Sequence, residues 1–484
     1  MINHLYQKTT YWIAGLAVIF IVSFAFAQKD EPIKSQFGLA SQKTTYVAKL
    51  ITPTTMTSEE LAATENSLEP SIPLSLLKEL DQRIQAYPQD YEASLLKVLA
   101  YIEAGDFKAA NIFLDELIQK SPEFTLAHLV KGDLIAMQIK PVLGVGQNDI
   151  LASYITDEQQ ATLKKLRDEV KIRLENYHGK LTKQKIPRSL LLMSKSIDTA
   201  ILIDKSKNRL YVFKRQNDLL PPKLINDFYV STGKLRGNKQ IKGDLKTPEG
   251  VYFVTRWIPD GSLPDKYGIG AFPVNYPNEL DSRLGKTGYG IWLHGTTSDS
   301  YSRPPLDSEG CVVLPNIDLA SIKHLIKPGK TPMIIAETIE WVDYASWSNT
   351  RKEVLSSIEE WRSDWQSLNI NKYLGHYDET FWSGRHNIRT WRARKRLLSR
   401  SKTYQKVNLD DISLFAYPDT KTKQNIVVAR FHQYYQSNNY KGDMQKRIYL
   451  AQNNSSMNTS DRNNPDRNNT VQKRKDWKII YEGK

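Results

Sequence analysis

The sequence predicts a multidomain chain in which a helical N-terminal region precedes a mostly β middle domain and an α+β C-terminal domain. Three observations carry that reading. Apolar residues recur at spacings of three and four between Leu74 and Met137; short apolar runs bordered by Gly or Pro follow one another from Asp198; and after Thr338 an amphipathic helical stretch is followed by strand-like runs. A length of 484 residues is enough for about three or four domains, each with its own core.

The first segment stands apart. Met1 to Gln28 has a weakly basic start at His4 and Lys8, an apolar run from Trp12 to Phe26, and Ala25-Phe26-Ala27 before Gln28. That is the plan of a signal peptide spanning 1–27, cut after Ala27, which places the remainder in the periplasm. The sixteen residues from Trp12 to Ala27 fall short of the roughly 20 that a spanning helix wants, although an uncleaved segment would anchor the chain. Residues 28–72 mix Ser, Thr, Gln, Lys and Pro without sustained periodicity and read as a linker.

The helical region covers 73–190. Leu76-Leu77-Leu80-Ile84, Leu95-Leu96-Leu99-Ile102 and Ile112-Phe113-Leu117 each mark one buried stripe. Pro88 and Pro122 lie 34 residues apart, as do Ala93 and Ala127, and Gly105-Asp106 stands where a tight turn would join two helices. A 34-residue helix–turn–helix period resembles the tetratricopeptide repeat, with one and a half units visible. So short a stack needs other surfaces to complete its core, so the region is either a prop for the next domain or a docking or dimerisation module. A charged helix over Asp157–His178 follows.

The middle domain spans 198–337. Ala200 to Asp204 and Arg209 to Phe213 flank the turn residues Lys205 to Asn208 and predict a hairpin; Phe228 to Lys234 and Lys246 to Val254 predict further strands, with no long helix before Ile317. The C-terminal domain spans 351–484. Glu353 to Leu368 predicts a helix carrying Trp361 and Trp365, and Trp391 to Leu398 a basic helical or loop segment. Strands follow at Ile412–Ala416, Ile426–Tyr435, Lys446–Leu450 and Trp477–Tyr481, with an Asn-, Ser- and Asp-rich insert at 453–476 expected to be disordered. Of the formal charge of +14, the segment from Arg351 onward carries +12, from 26 basic and 14 acidic residues. In an exported protein nucleic acid is excluded as a partner, which leaves an acidic wall polymer, lipid head groups or a solvated basic surface.

The chemistry concentrates between Ile291 and Asn316, which hold the single cysteine of the chain. A lone cysteine closes no internal disulfide, and in an oxidising compartment an unpaired thiol is kept for use. Cys311 follows Gly310 at a polar turn leading into Val312-Val313-Leu314, and His294-Gly295 ends the apolar run from Gly290. A thiol attacks as thiolate, and an imidazole that takes its proton activates it; the carbonyl of Gly295 is a candidate acceptor for the second imidazole nitrogen. Gly310 leaves its own N–H and that of Cys311 free to face an oxyanion. The expected catalytic set is therefore Cys311, His294, Gly295 and Gly310. The eight His residues are scattered and lack cysteine partners, so neither a metal nor another cofactor is expected.

His294-Gly295 followed by Ser308-x-Gly310-Cys311 resembles the active-site signature of the YkuD-type L,D-transpeptidases of peptidoglycan. Ser231-Thr232-Gly233-Lys234 and Thr247-Pro248-Glu249-Gly250 stand where that family carries similar elements, and the likeness spans 198–337. The resemblance implies a β-rich catalytic domain in which Cys311 is acylated by the peptide bond before the terminal D-amino acid of a stem tetrapeptide. Release to an amine makes a transpeptidase, the leading expectation; release to water makes an L,D-carboxypeptidase or a wall-lipoprotein amidase. Two positions depart from the pattern: Glu309 stands where the family commonly has His, and Val313 where it commonly has Arg. Loss of that Arg removes a partner for a substrate carboxylate, so Ser308, Glu309, Arg303 and Tyr276 become the expected substrate-binding residues, with Arg283 a further candidate by position. The C-terminal domain, with its Trp-bearing helix and Gln433-Tyr434-Tyr435, resembles the NTF2-like cone appended to some cell-shape L,D-carboxypeptidases, where it could hold a ligand, a glycan or a second subunit. The reading of a different class is a non-catalytic wall-binding scaffold built on the repeat and the basic domain.

Overall fold

The computed structural model describes residues 74–138, 142, 144–147, 155–178, 185–418, 424–452 and 477–483. The expected signal peptide, the linker and the insert at 453–476 lie outside the described residues.

The helical region forms as its periodicity requires. Helices Leu74–Ala86, Tyr91–Glu103, Phe107–Lys120 and Thr125–Ala136 follow one another, and Asp157–His178 forms a fifth among the described residues. Asp90 and Asp106 cap the second and third by accepting from the N–H groups of Ala93 and Ala109, three residues on. Gly105 turns between them at φ 72°, a conformation that costs a residue with a Cβ but not glycine. Leu95, Leu99, Leu114, Leu117, Ala127 and Val130 fill the core between these helices.

That core does not close on itself. Arg173 on the fifth helix is buried and bonds Glu92 and Glu169, while Arg209 of the middle domain bonds both oxygens of Glu92 at 2.8 Å and also pairs with Asp227. A buried cation or carboxylate survives only with partners, so this network pins the helical region to the middle domain. The prop reading of the repeat therefore has a physical basis.

Beside a two-stranded sheet that pairs Leu306–Ser308 with Thr232–Gly233, two main sheets build the middle domain. One runs in the order Lys223–Tyr229, Arg209–Lys214, Thr199–Asp204, Pro332–Ala336, Gly250–Phe253; the other in the order Val312–Val313, Trp292–His294, Gly270–Pro273, Ile258–Pro259. Ile201 and Ile203 face the second sheet, packing with Phe272, Leu293 and Val312. Ala200 and Leu202 face the opposite way, in a core shared with Phe415, Val428 and Tyr449 of the C-terminal domain. Burial on both faces is why this strand reads as an unbroken apolar run rather than an alternation. The expected strand at 228–234 instead occupies Lys223–Tyr229 and resumes only at Thr232–Gly233.

The C-terminal domain lays helices Tyr344–Gln366, Ile370–Gly375 and Ile388–Ser399 over a seven-stranded sheet. The strands Gln405–Ala416, Ile426–Ser437, Tyr440–Gln452 and Trp477–Gly483 form an antiparallel meander, and Tyr377–Ser383 runs parallel to the last. Its first helix begins nine residues before the expected Glu353 because Asp343 caps it by accepting from the Ser346 N–H. At the far edge Leu190–Leu192 pairs with Gln405–Ala416, and Trp347 Nε1 donates to the Leu190 carbonyl. Ile186 to Leu192 thus belongs to the β structure, a correction to the helical boundary at 190. Trp361 is core, whereas Trp365 lines a cavity of about 580 Å³ with Tyr373, Lys395, Gln433, Tyr435 and Lys446.

The network at Glu92 makes stability depend on pH. Burial would raise its carboxyl pKa, but Arg209, Arg173 and Arg83 outweigh that and hold it at about 2. A depressed folded-state value means stability that is present above the unfolded value of about 4.5 and lost as pH falls toward 2. Glu92→Ala is expected to cost about 3–5 kcal/mol, because it takes one of two carboxylate partners from each of two buried guanidinium groups. Its denaturant midpoint should lie well below that of the wild type at pH 7, with the difference shrinking as the pH falls from 5 to 3; equal midpoints at pH 7 would show that the network does not hold the domains.

Candidate active site

The strand Trp292–His294 is central in its sheet, paired antiparallel with Gly270–Pro273 and parallel with Val312–Val313. Leu293 lies opposite Val312 and His294 opposite Val313, which sets Cys311 level with Trp292. Side chains alternate across a strand, so Cys311 and His294 project from the same face, two residues apart along the pleat. The sheet thereby brings together the two residues that the sequence assigned to catalysis.

His294 is buried and its Nδ1 lies 2.7 Å from the Gly295 carbonyl, to which an Nδ1–H donates. Assigned on that bond, the tautomer leaves Nε2 unprotonated. Burial pushes the imidazole pKa down to about 4, and the Arg303 and Lys266 cations lower it further against the Gly295 bond. The ring is held by Tyr267, edge-on at 5.0 Å, which in turn packs on Trp292 at 4.8 Å. Cys311 is half-buried, and its thiol donates to the Gly290 carbonyl at 3.4 Å. Burial pushes this thiol up to about 11, with nearby Glu309 adding to the rise and the Trp292 backbone, Lys266 and Arg303 opposing it.

Gly295 is required by its surroundings, since a Cβ there would collide with Asn316 Oδ1. Asn316 is a site residue that the sequence reading missed. Its Oδ1 accepts from the Ile269 N–H and its Nδ2 donates to the Thr296 carbonyl, which fixes the turn that offers Gly295 O to the imidazole. Gly310 has φ 123°, and a Cβ would stand 2.8 Å from the Lys246 carbonyl. Its N–H donates to Ser308 Oγ at 3.1 Å, while Ser308 Oγ–H donates to the Cys311 carbonyl at 2.6 Å. This corrects two expectations: Gly310 N–H is engaged rather than free for an oxyanion, and Ser308 latches the nucleophile turn rather than facing substrate.

The remaining candidates separate. Glu309 is exposed beside the thiol. Arg303 is half-buried, with Nε and Nη2 bonded to Asp307. Tyr276 is 5% exposed, packs against Tyr252 and donates its hydroxyl to the Thr287 carbonyl, so it is a core residue and not a substrate contact. Arg283 lies over Trp382 of the C-terminal domain, 5.5 Å from the ring centre.

With this geometry in place, comparisons with known proteins agree on both domains. Residues 198–335 match the family model YkuD, the L,D-transpeptidase catalytic domain, and residues 353–460 match the Cds6 C-terminal NTF2-like domain. Among solved structures, Bd1075 of Bdellovibrio bacteriovorus is 29% identical with a TM-score of 0.51, covering 62% of this chain and 97% of its own. The helical cell shape determining protein Pgp2 of Campylobacter jejuni is 25% identical with a TM-score of 0.50, covering 62% of this chain and 95% of its own. No curated protein matches the sequence.

The two shifted pKa values predict how the free thiol reacts. Between about pH 4 and about pH 11 the resting pair is neutral imidazole beside neutral thiol, with no standing thiolate. Alkylation of Cys311 by iodoacetamide, followed by intact mass, is expected to be slow at pH 7 and to rise about tenfold per pH unit toward pH 10. A flat, fast rate from pH 5 to 8 would mean a preformed thiolate–imidazolium pair.

Proposed function

Because the chain carries an L,D-transpeptidase-type catalytic domain followed by an NTF2-like domain, we propose that it is a wall-facing cysteine enzyme that opens the L,D peptide bond of stem tetrapeptides through a thioester on Cys311. The observation that carries this reading is the shared face of Cys311 and His294, with the imidazole tautomer fixed by Gly295 O. The Cys311 thiol gives its proton to His294 Nε2 as Sγ bonds the carbonyl carbon, and the Cys311 N–H steadies the oxyanion. Collapse breaks the C–N bond, and Nε2–H protonates the departing amino group of the terminal D-residue. An acceptor then loses a proton to Nε2 as it attacks the thioester, and the thiol leaves with that proton.

Water is the acceptor favoured here, which makes the chain an L,D-carboxypeptidase. The domain pairing and the similarity to a helical cell shape determining protein support it. Transfer to an amine is the second reading, supported by the family description of the catalytic domain. Export to the periplasm is part of the same proposal, carried by the segment Met1 to Ala27.

Purified chain incubated with disaccharide tetrapeptide is expected to yield disaccharide tripeptide and a free D-amino acid, with no cross-linked dimer even when an amine acceptor is added. Dimer as the main product would establish transpeptidation instead. Cys311→Ala should form no product, and His294→Ala should lower kcat by roughly 10²–10⁴-fold; full activity of Cys311→Ala would reject the thioester.

A further inference from the structure

A substrate cut one residue from its end carries its terminal carboxylate next to the scissile bond. Something cationic must hold that group, and position 313 offers only Val313, buried in a two-residue strand. Tyr276 is committed to the core, and Arg283 stacks on Trp382. Two cations stand beside the catalytic pair.

Lys266 precedes Tyr267, the residue whose ring lies edge-on to His294, and its ammonium sits 5.1 Å from the centre of that ring. The Lys266 side chain is exposed, and Asp265 next to it accepts from the Ser298 N–H, tying this loop to the connection between His294 and Cys311. Arg303 lies on that connection. Its Nε bonds Asp307 Oδ2 at 3.0 Å and its Nη2 the Asp307 carbonyl at 3.2 Å, and Asp307 is in the short strand that ends at Ser308, the latch on Cys311. The guanidinium is therefore oriented from the nucleophile's own turn.

Its main chain is held from the other side by Tyr229 of the middle domain, and its two preceding residues by the helical region. Tyr229 OH donates to the Arg303 carbonyl at 2.8 Å, and the Tyr229 ring is capped by Arg173 at 3.9 Å. Ser302 Oγ–H donates to Glu169 at 2.7 Å. Tyr301 is 4% exposed, inserted between Tyr91 at 5.6 Å and Phe124 at 4.2 Å in the core of the repeat. A surface ion pair between Arg303 and Asp307 would need none of this bracing; a guanidinium that must meet a planar carboxylate in one orientation does.

We propose that Arg303, together with Lys266, binds the terminal carboxylate of the substrate in place of the arginine absent at position 313, and that the helical region acts as a positioning element for Arg303 through Tyr301 and Ser302. The inference rests on the thioester chemistry proposed above. It also gives the repeat a part in catalysis rather than in docking alone.

The test uses the full chain with two substrates, a disaccharide tetrapeptide with a free terminal carboxylate and the same compound capped as the carboxamide. Wild type is expected to favour the acid by about 10–100-fold in kcat/KM, the worth of a charge-assisted bidentate contact. Arg303→Gln should collapse that ratio to near one, mainly through KM for the acid, and Arg303→Lys should retain part of it. Lys266→Gln should lower the ratio less, by about 3–10-fold, because its flexible ammonium makes a single contact. Ser302→Ala should lower the ratio without changing the substrate-binding side chains, which is the mark of a positioning residue. An unchanged ratio in Arg303→Gln overturns the assignment, as does a wild type that cuts acid and amide equally well; a wild type that cuts neither overturns the thioester reading itself.

Discussion

The parallel pairing of Trp292–His294 with Val312–Val313 is the constraint on which the site depends. Parallel strands need a connection long enough to cross over, and here the connection from Gly295 to Cys311 is where the rest of the molecule takes hold. A slip of one residue in this register would turn Cys311 to the opposite face and separate it from His294. The register is guarded by buried apolar side chains on one face, Leu293 and Val312, and by the hydrogen bonds of Asn316 and Ser308 at the two turns. Both glycines of the expected set serve this packing: Gly295 makes room for Asn316, and Gly310 for the Lys246 carbonyl.

Electrostatics follow from the same burial. The imidazole and the thiol are each held neutral, chiefly because neither can be charged cheaply out of water, so the nucleophile is made at the moment of attack. That protects a lone cysteine from oxidation between turnovers, since the thiolate is the oxidisable form. Further out, charges are buried only in pairs. Arg173, Arg209, Glu92 and Glu169 connect the helical region to the middle domain, and Ser302 extends that network to the catalytic connection. The three parts of the chain are thus coupled through contiguous cores and bonds, with the apolar core shared by the middle and C-terminal domains forming the other half of the link.

Much of this was legible in the residues. The helices of the repeat region were readable because apolar spacing of three and four and the turn at Gly105 are local signals. The hairpin Thr199–Lys214 and the meander of the C-terminal sheet were readable for the same reason. Cys311 and His294 stood out by chemistry alone. What stayed hidden depends on contacts far apart in sequence. Leu190–Leu192 pairs with residues more than 220 positions later, and nothing in a three-residue apolar run names its partner. The start of the first C-terminal helix at Tyr344 was masked by the polar run Ser348 to Glu353, which separates Trp347 from the apolar stripe that begins at Val354. Lys266, Tyr267 and Asn316 carry no signature of their own, and Ser308 was misassigned because its hydroxyl looks equally suited to substrate or to the turn it closes.

The claim at the centre is that Cys311 carries the acyl group. Acid-quenched mixing of the full chain with disaccharide tetrapeptide, followed by intact mass and peptide mapping, tests it most directly. A transient adduct of disaccharide-tripeptide mass is expected, labile to hydroxylamine and located on Cys311. Product formation with no such adduct, or an adduct on any other residue, would contradict it.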